Sequence, residues 1–176
     1  MRELSLHILD IFENATRAGA THINFSIELD HEANWLSLSI EDNGKGLPVT
    51  PEQAVDPFYT TKAGKRTGLG LSLFKAAAEQ AGGSFYLGRS AFGGVVVEAA
   101  FQFHHVDRMP IGDLAETFLA VLLSNPDLQL ICSFIGPQGA FSVCFQDMDE
   151  NLSQYKRAKL FAEQTREALC AVGIAE

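Results

Sequence analysis

Two short runs of strictly alternating residues constrain this chain more than any other feature. Ile23, Phe25, Ile27 and Leu29 are separated by polar residues, and the same holds for Leu36, Leu38 and Ile40. Successive side chains of a strand point to opposite faces, so each run reads as a strand with one apolar and one polar side. The short polar link from Asp30 to Asn34 predicts an antiparallel hairpin. A hairpin is at best marginally stable by itself in water, so its apolar face requires a cover.

Helical segments supply that cover. Over residues 2–18, Leu4, Ile8, Ile11, Ala15 and Ala18 recur at the spacing of one helical face, and Gly19 stops the helix. Glu3, His7, Asp10, Asn14 and Arg17 form a second, polar stripe along the same helix. Periodicity then vanishes over residues 42–67, a connection of about 25 residues, longer than compact domains usually keep without a function. It resumes as a helix over Gly68–Ala81, with Leu71, Phe74, Ala77, Ala78 and Ala81 on the apolar side, followed by strands over 84–89 and 95–103.

The texture changes after His104 and His105. Residues 107–111 read as a linker, 112–124 as a helix, 128–134 and 140–145 as a hairpin around Gly136–Gly139, and 151–172 as a charged amphipathic helix. The expected organisation is an α/β sandwich over residues 1–106, with helices on one face of a mixed sheet. A small C-terminal α/β lobe over 107–176, partner-binding or dimerising, completes the chain.

Charge and composition narrow the function. With 22 acidic and 13 basic residues, a net charge of -9 repels phosphate backbones, so no nucleic-acid partner is expected. No apolar run reaches the ~20 residues of a membrane span and no signal peptide opens the chain, so a cytoplasmic protein without a membrane partner is expected. The three cysteines lack zinc-site spacing and read as reduced thiols, with Cys132 and Cys144 open to facing each other across the hairpin.

Three segments carry chemistry. The polar stripe of the first helix offers an amide oxygen at Asn14, a carboxylate at Asp10 and a guanidinium at Arg17, each a turn apart. Any solvated helix shows a polar face, so the stripe gains meaning only from its neighbours. Asp42-Asn43-Gly44-Lys45-Gly46 ends an alternating strand; it suits a carboxylate facing a purine amine beside open backbone, although calcium loops and tight turns share its composition. Gly68-Leu69-Gly70-Leu71-Ser72 opens a helix, where backbone N–H groups and the helix dipole favour phosphate. No Gly-x-x-x-x-Gly-Lys-Ser/Thr phosphate loop occurs, and the dinucleotide fingerprint lacks its third glycine and preceding strand.

In order and spacing these segments resemble the GHKL ATPase superfamily of gyrase, Hsp90, histidine kinases and MutL, over residues 1 to about 105. Leu9-Asp10-Ile11-Phe12-Glu13-Asn14-Ala15-Thr16-Arg17-Ala18-Gly19-Ala20-Thr21 looks like its N box, Asp42, Gly44 and Gly46 like its adenine box, and Asp56-Pro57-Phe58-Tyr59-Thr60-Thr61-Lys62 like the phenylalanine box of histidine-kinase lids. Gly68, Leu69, Gly70 and Leu71 match the box beside the phosphates.

The resemblance implies a Bergerat fold binding ATP with magnesium. Asn14 would be the metal ligand, Asp10 would stand where relatives carry a catalytic glutamate, and Arg17, Lys62, Lys65 and Arg66 would contact phosphates. One departure is Gly93-Gly94-Val95 in place of the family's Gly-Thr, which removes a hydroxyl. Another is the lack of a phosphoacceptor-histidine helix pair before the N box. Three uses of ATP or ADP then fit: phosphoryl transfer in trans to a regulatory protein partner, slow hydrolysis driving a switch, and nucleotide sensing without chemistry.

Overall fold

The structure, a computed structural model, describes residues 3–58 and 69–174. The alternating runs form strands β1 (His22–Asp30) and β2 (Trp35–Asp42), paired antiparallel with Phe25 opposite Ile40 and Ile27 opposite Leu38. Strands β3 (Ser84–Arg89) and β4 (Val95–Gln102) extend the sheet beyond β2. Strands β5 (Gln129–Gly136) and β6 (Gly139–Cys144) extend it beyond β1. The result is one six-stranded sheet in the order β3-β4-β2-β1-β5-β6, mixed because β5 runs parallel to β1 while every other neighbouring pair is antiparallel.

Helices α1 (Leu4–Arg17), α3 (Leu69–Gln80), α4 (Leu114–Ser124) and α5 (Gln154–Val172) bury their apolar sides on the sheet face carrying Phe25, Ile27, Leu38, Ile40 and Phe134. A one-turn helix α2 (Pro51–Ala54) interrupts the aperiodic stretch, begun by a capping box between Thr50 and Gln53. The core is continuous from α1 to the C-terminal α/β unit. Phe118 of α4 stacks on Phe12 at 5.7 Å, meets Phe25 edge-on at 5.1 Å and touches Phe161 of α5 at 6.2 Å. Each such ring contributes roughly 1.5–3 kcal/mol through burial.

The N-terminus of α1 is satisfied from an unexpected quarter. Its N-cap Glu3 makes no side-chain capping bond; instead the N–H groups of Leu4 and Ser5 donate to the carbonyls of Pro110 and Ile111, at 3.0 and 2.8 Å. The stretch read as a linker is thus a backbone cap on the helix that bears Asp10 and Asn14. The facing of Cys132 and Cys144 left open by the sequence does not occur. Cys132 pairs with Val143 and Cys144 with Ile131, so the two thiols sit on neighbouring rungs and opposite faces and do not meet across the hairpin. All three cysteines are free, and burial pushes the Cys132 thiol well above the ordinary range. His104 and His105 lie beyond the end of β4, where the His104 N–H donates to the Asn34 side chain at 2.9 Å. No described helix is long and apolar enough to cross a membrane.

Candidate nucleotide-binding site

Asp42 ends β2 in the inward-facing series of Leu36, Leu38 and Ile40, so strand alternation carries a carboxylate to the edge of the core, where it is 5% exposed. Burial raises its pKa above the ordinary aspartate value, opposed by backbone N–H bonds from Gly44, at 2.7 Å, and from Val95. With two acceptor bonds made, the carboxylate keeps lone pairs able to accept an external N–H donor.

The loop after Asp42 is clamped. Asn43 Oδ1 accepts the backbone N–H groups of Thr21 and His22, each at 2.9 Å, while its Nδ2 donates to Thr21 Oγ1 at 3.0 Å. The Lys45 N–H donates to the Ala18 carbonyl at 3.0 Å, tying the loop to the C-terminal end of α1. Gly94, in the β3–β4 turn, closes from the other side: a Cβ there would overlap Asp42 Oδ1 and lie 2.5 Å from the Asp42 carbonyl oxygen. Glu41 fixes that turn by accepting from Ser90 Oγ and the Ala91 N–H, at 2.8 and 3.0 Å. Gly46 takes φ 81°, a left-handed conformation suited to glycine. A cleft of about 310 Å³ opens here, lined by Lys45, Gly46, Leu47, Val49, Arg89 and Gly94.

Three residues of the α1 stripe form a relay at the other end. Asn14 Nδ2 donates to Asp10 Oδ2 at 3.3 Å, and Arg17 Nη2 donates to Asn14 Oδ1 at 3.2 Å. Arg17 is further held by the Glu13 carbonyl at 3.0 Å and the Glu13 carboxylate at 3.5 Å. The opening of α3 packs directly on this relay, since a Cβ at Gly70 would overlap the Asp10 carboxylate. Only glycine lets the first turn of α3 approach so closely.

The donor set fits magnesium carried in with a nucleotide. Among the described residues no group of three His, Cys, Asp or Glu side chains converges as a metal cage. Asn14 Oδ1 is a hard oxygen, and nucleotide-bound magnesium takes only one or two protein ligands. Arg17 holds that oxygen in this arrangement and must turn away to release it.

Asp10, Asn14, Arg17 and Gly70 therefore form one cluster and Asp42, Gly44 and Gly46 another, and Ala18, just past the end of α1, touches the second through the Lys45 N–H. Leu69 is 40% exposed at the start of α3 and Leu71 half-buried behind it. The Phe58 side chain is 94% exposed, and its N–H donates to Asp56 Oδ1 at 2.8 Å. Lys62, Lys65, Arg66 and Gly68 lie outside the described residues. Sequence reasoning missed the positioning roles of Asn43 and Gly94. The signal for the first was present, because an asparagine inside a turn readily bonds nearby backbone; the second needed the register of β3 and β4.

A sheet covered by helices on one face, with a buried carboxylate ending one strand and an amide on the covering helix, defines a nucleotide-binding α/β sandwich. The profile of the family described as Histidine kinase-, DNA gyrase B-, and HSP90-like ATPase matches residues 2–105. The chain belongs to this family, and that segment is an ATP-binding domain of the histidine-kinase-like kind.

Among individual proteins, the chain is 41% identical over 68 residues to the two-component sensor PprA of Pseudomonas aeruginosa, covering 38% of this chain and 7% of that one. It is 44% identical over 57 residues to the sensor kinase CckA of Brucella abortus, covering 31% of this chain and 6% of that protein. Against the sensor histidine kinase ZraS of Escherichia coli it is 33% identical over 78 residues, covering 44% and 17%. The matches thus span less than a fifth of each of these relatives. Of solved structures, the ATP-binding domain of PrrB from Mycobacterium tuberculosis aligns with a TM-score of 0.40 at 23% identity, over 56% of this chain and 66% of that one.

Proposed function

We propose that the chain binds Mg·ATP with adenine at Asp42 and the terminal phosphate at the start of α3, and passes that phosphate to a regulatory protein in trans. The observation that carries the reading is the contact of the Asp10 carboxylate with Gly70, which sets a proton acceptor against the N–H groups that would receive phosphate. The carboxylate of Asp42 accepts the purine amine, and Gly44 and Gly46 leave open backbone beside the ring. Asn14 Oδ1 would hold magnesium, which supplies charge neutralisation between the phosphates. Arg17, Lys62 and Arg66 would meet phosphate oxygens.

In the transfer, Asp10 takes the proton of an acceptor hydroxyl as that oxygen bonds to the γ-phosphorus, and the bond to the bridging oxygen breaks to release ADP. A second reading is an ATPase switch in which water takes the acceptor's place. The continuous packing of α1 on α4 through Phe12 and Phe118 favours it, because movement at the phosphate end would reach the C-terminal unit, where a partner or a second copy would bind.

Incubation with γ-labelled ATP separates these uses: label on a partner supports transfer, free phosphate supports the switch, and binding without turnover leaves a nucleotide sensor. Asp10→Asn should lower turnover of either kind by about 10²-fold or more while nucleotide affinity persists. Wild-type turnover by that variant would remove Asp10 from the chemistry.

A further inference from the structure

Strand β6 is one edge of the sheet, and no segment among the described residues pairs with its outer side. A two-residue turn joins Gly136 to Gly139, and ladder bonds alternate from there. Phe141 and Val143 bond back to β5, whereas Ala140, Ser142 and Cys144 direct their N–H and C=O groups outward. Native proteins blunt such edges with charge, proline or a bulge. Strand β6 has no charged residue and no proline, and its register with β5 is unbroken. Apolar side chains flank it on both faces: Phe141 is 52% exposed on the helix side, and Ile131 and Ile135 of β5 are exposed on the open side.

Two observations select a second copy of this chain as the occupant. The strand is self-complementary about a two-fold axis at Ser142: Ser142 meets the copy's Ser142, Ala140 meets the copy's Cys144, and Phe141 lies against the copy's Val143. All three outward residues of each strand then find donors and acceptors. Charge agrees with the same axis. Helix α5 runs antiparallel to β6, because Arg157 near its start donates to the Phe145 carbonyl at 3.4 Å and the Val172 carbonyl at its end accepts the Gln138 N–H at 3.2 Å. The axis therefore sets α5 antiparallel to its copy. Lys156, Arg157 and Lys159 make its first half basic; Glu163 and Glu167 make the second acidic, where Arg166 is already paired with Asp113 and Glu116 of α4. Each basic half comes beside an acidic one, a match that a foreign strand on the same edge would not supply.

We infer that the chain dimerises through β6, paired antiparallel with a second copy so that the two six-stranded sheets become one. This surface is independent of the nucleotide site, so failure to bind ATP leaves it standing.

Sedimentation equilibrium of the full chain across concentrations, with circular dichroism as the control for folding, tests it. Wild type should approach twice the 19.2 kDa of the chain. Ser142→Pro removes an N–H that points away from β5, so it should keep the fold and raise the dimer dissociation constant about tenfold or more. Ser142→Glu and Ser142→Lys, at an exposed position, set like charges opposite each other; each should weaken the dimer, and an equal mixture of the two should restore it. These two variants carry the test if the proline variant does not fold. A wild type that stays monomeric at every concentration overturns the inference. So does a dimer indifferent to the substitutions, or one that the mixture fails to restore.

Discussion

The two ends of the site are built differently. At the Asp42 end, Asn43, Ala18, Gly94 and the Glu41–Ser90 bond hold the loop from four directions, and the carboxylate is buried with its backbone donors already in place. At the Asp10 end, the functional side chains bond one another instead: Asn14 spends its amide on Asp10 and its oxygen on Arg17. In the proposed binding mode the Asp42 end takes the base without rearranging. The Asp10 end would exchange internal bonds for ligand bonds, which would make it the part able to report nucleotide state.

The contrast can be broken most readily at Asp42. An amide there cannot offer acceptors to Gly44, Val95 and a purine amine together, so Asp42→Asn should weaken ATP and ADP equally, by roughly 10²-fold or more, in calorimetric titration. Stability should hold, because the substitution also removes a buried charge.

Gly94→Ala forces a methyl into Asp42 and the loop, which should cost about 1–3 kcal/mol in urea unfolding and carry a parallel loss of nucleotide affinity. Asn43→Ala leaves the N–H groups of Thr21 and His22 without their acceptor, costing about 1–2 kcal/mol by the same measurement. Arg17→Ala, at an exposed pair, should change stability by no more than about 0.5 kcal/mol. Magnesium titrations should show it binding the metal–nucleotide complex differently from free nucleotide, because Asn14 Oδ1 is no longer held.

Acidity sharpens the same comparison. The Asp42 carboxyl is raised in the folded state, so the folded chain takes up this proton before the unfolded chain does as pH falls. Its contribution to stability therefore grows on acidification through that raised value. Nucleotide affinity, which in the proposed mode needs the ionised carboxylate, should fall over the same interval. Titrations and melts between neutral and mildly acidic pH should show these opposite trends, and both should disappear in Asp42→Asn.

Much of this architecture is legible in the amino-acid sequence. Alternation places Ile23–Leu29 and Leu36–Ile40 in a hairpin, helical spacing places Leu4–Ala15 and Phe74–Ala81 on one face, and both periodicities follow from local backbone geometry. The C-terminal hairpin is legible as a hairpin, but its parallel attachment to β1 is not, because pairing between distant strands leaves no local pattern. The capping of α1 by residues 110 and 111 is hidden for the same reason, being made by backbone atoms whose side chains carry no signal. His7 sits on the stripe that reads as polar, and α3 rather than solvent covers it.

The proposed binding mode has Asp42 and Asn14 grip opposite ends of one nucleotide, and titration of ATP with and without magnesium across the two single variants measures that directly. Asp42→Asn should lose affinity whether or not magnesium is present, whereas Asn14→Ala should bind free ATP like the wild type and lose the gain that magnesium confers. Retained affinity in Asp42→Asn, or a full magnesium response in Asn14→Ala, would contradict that arrangement.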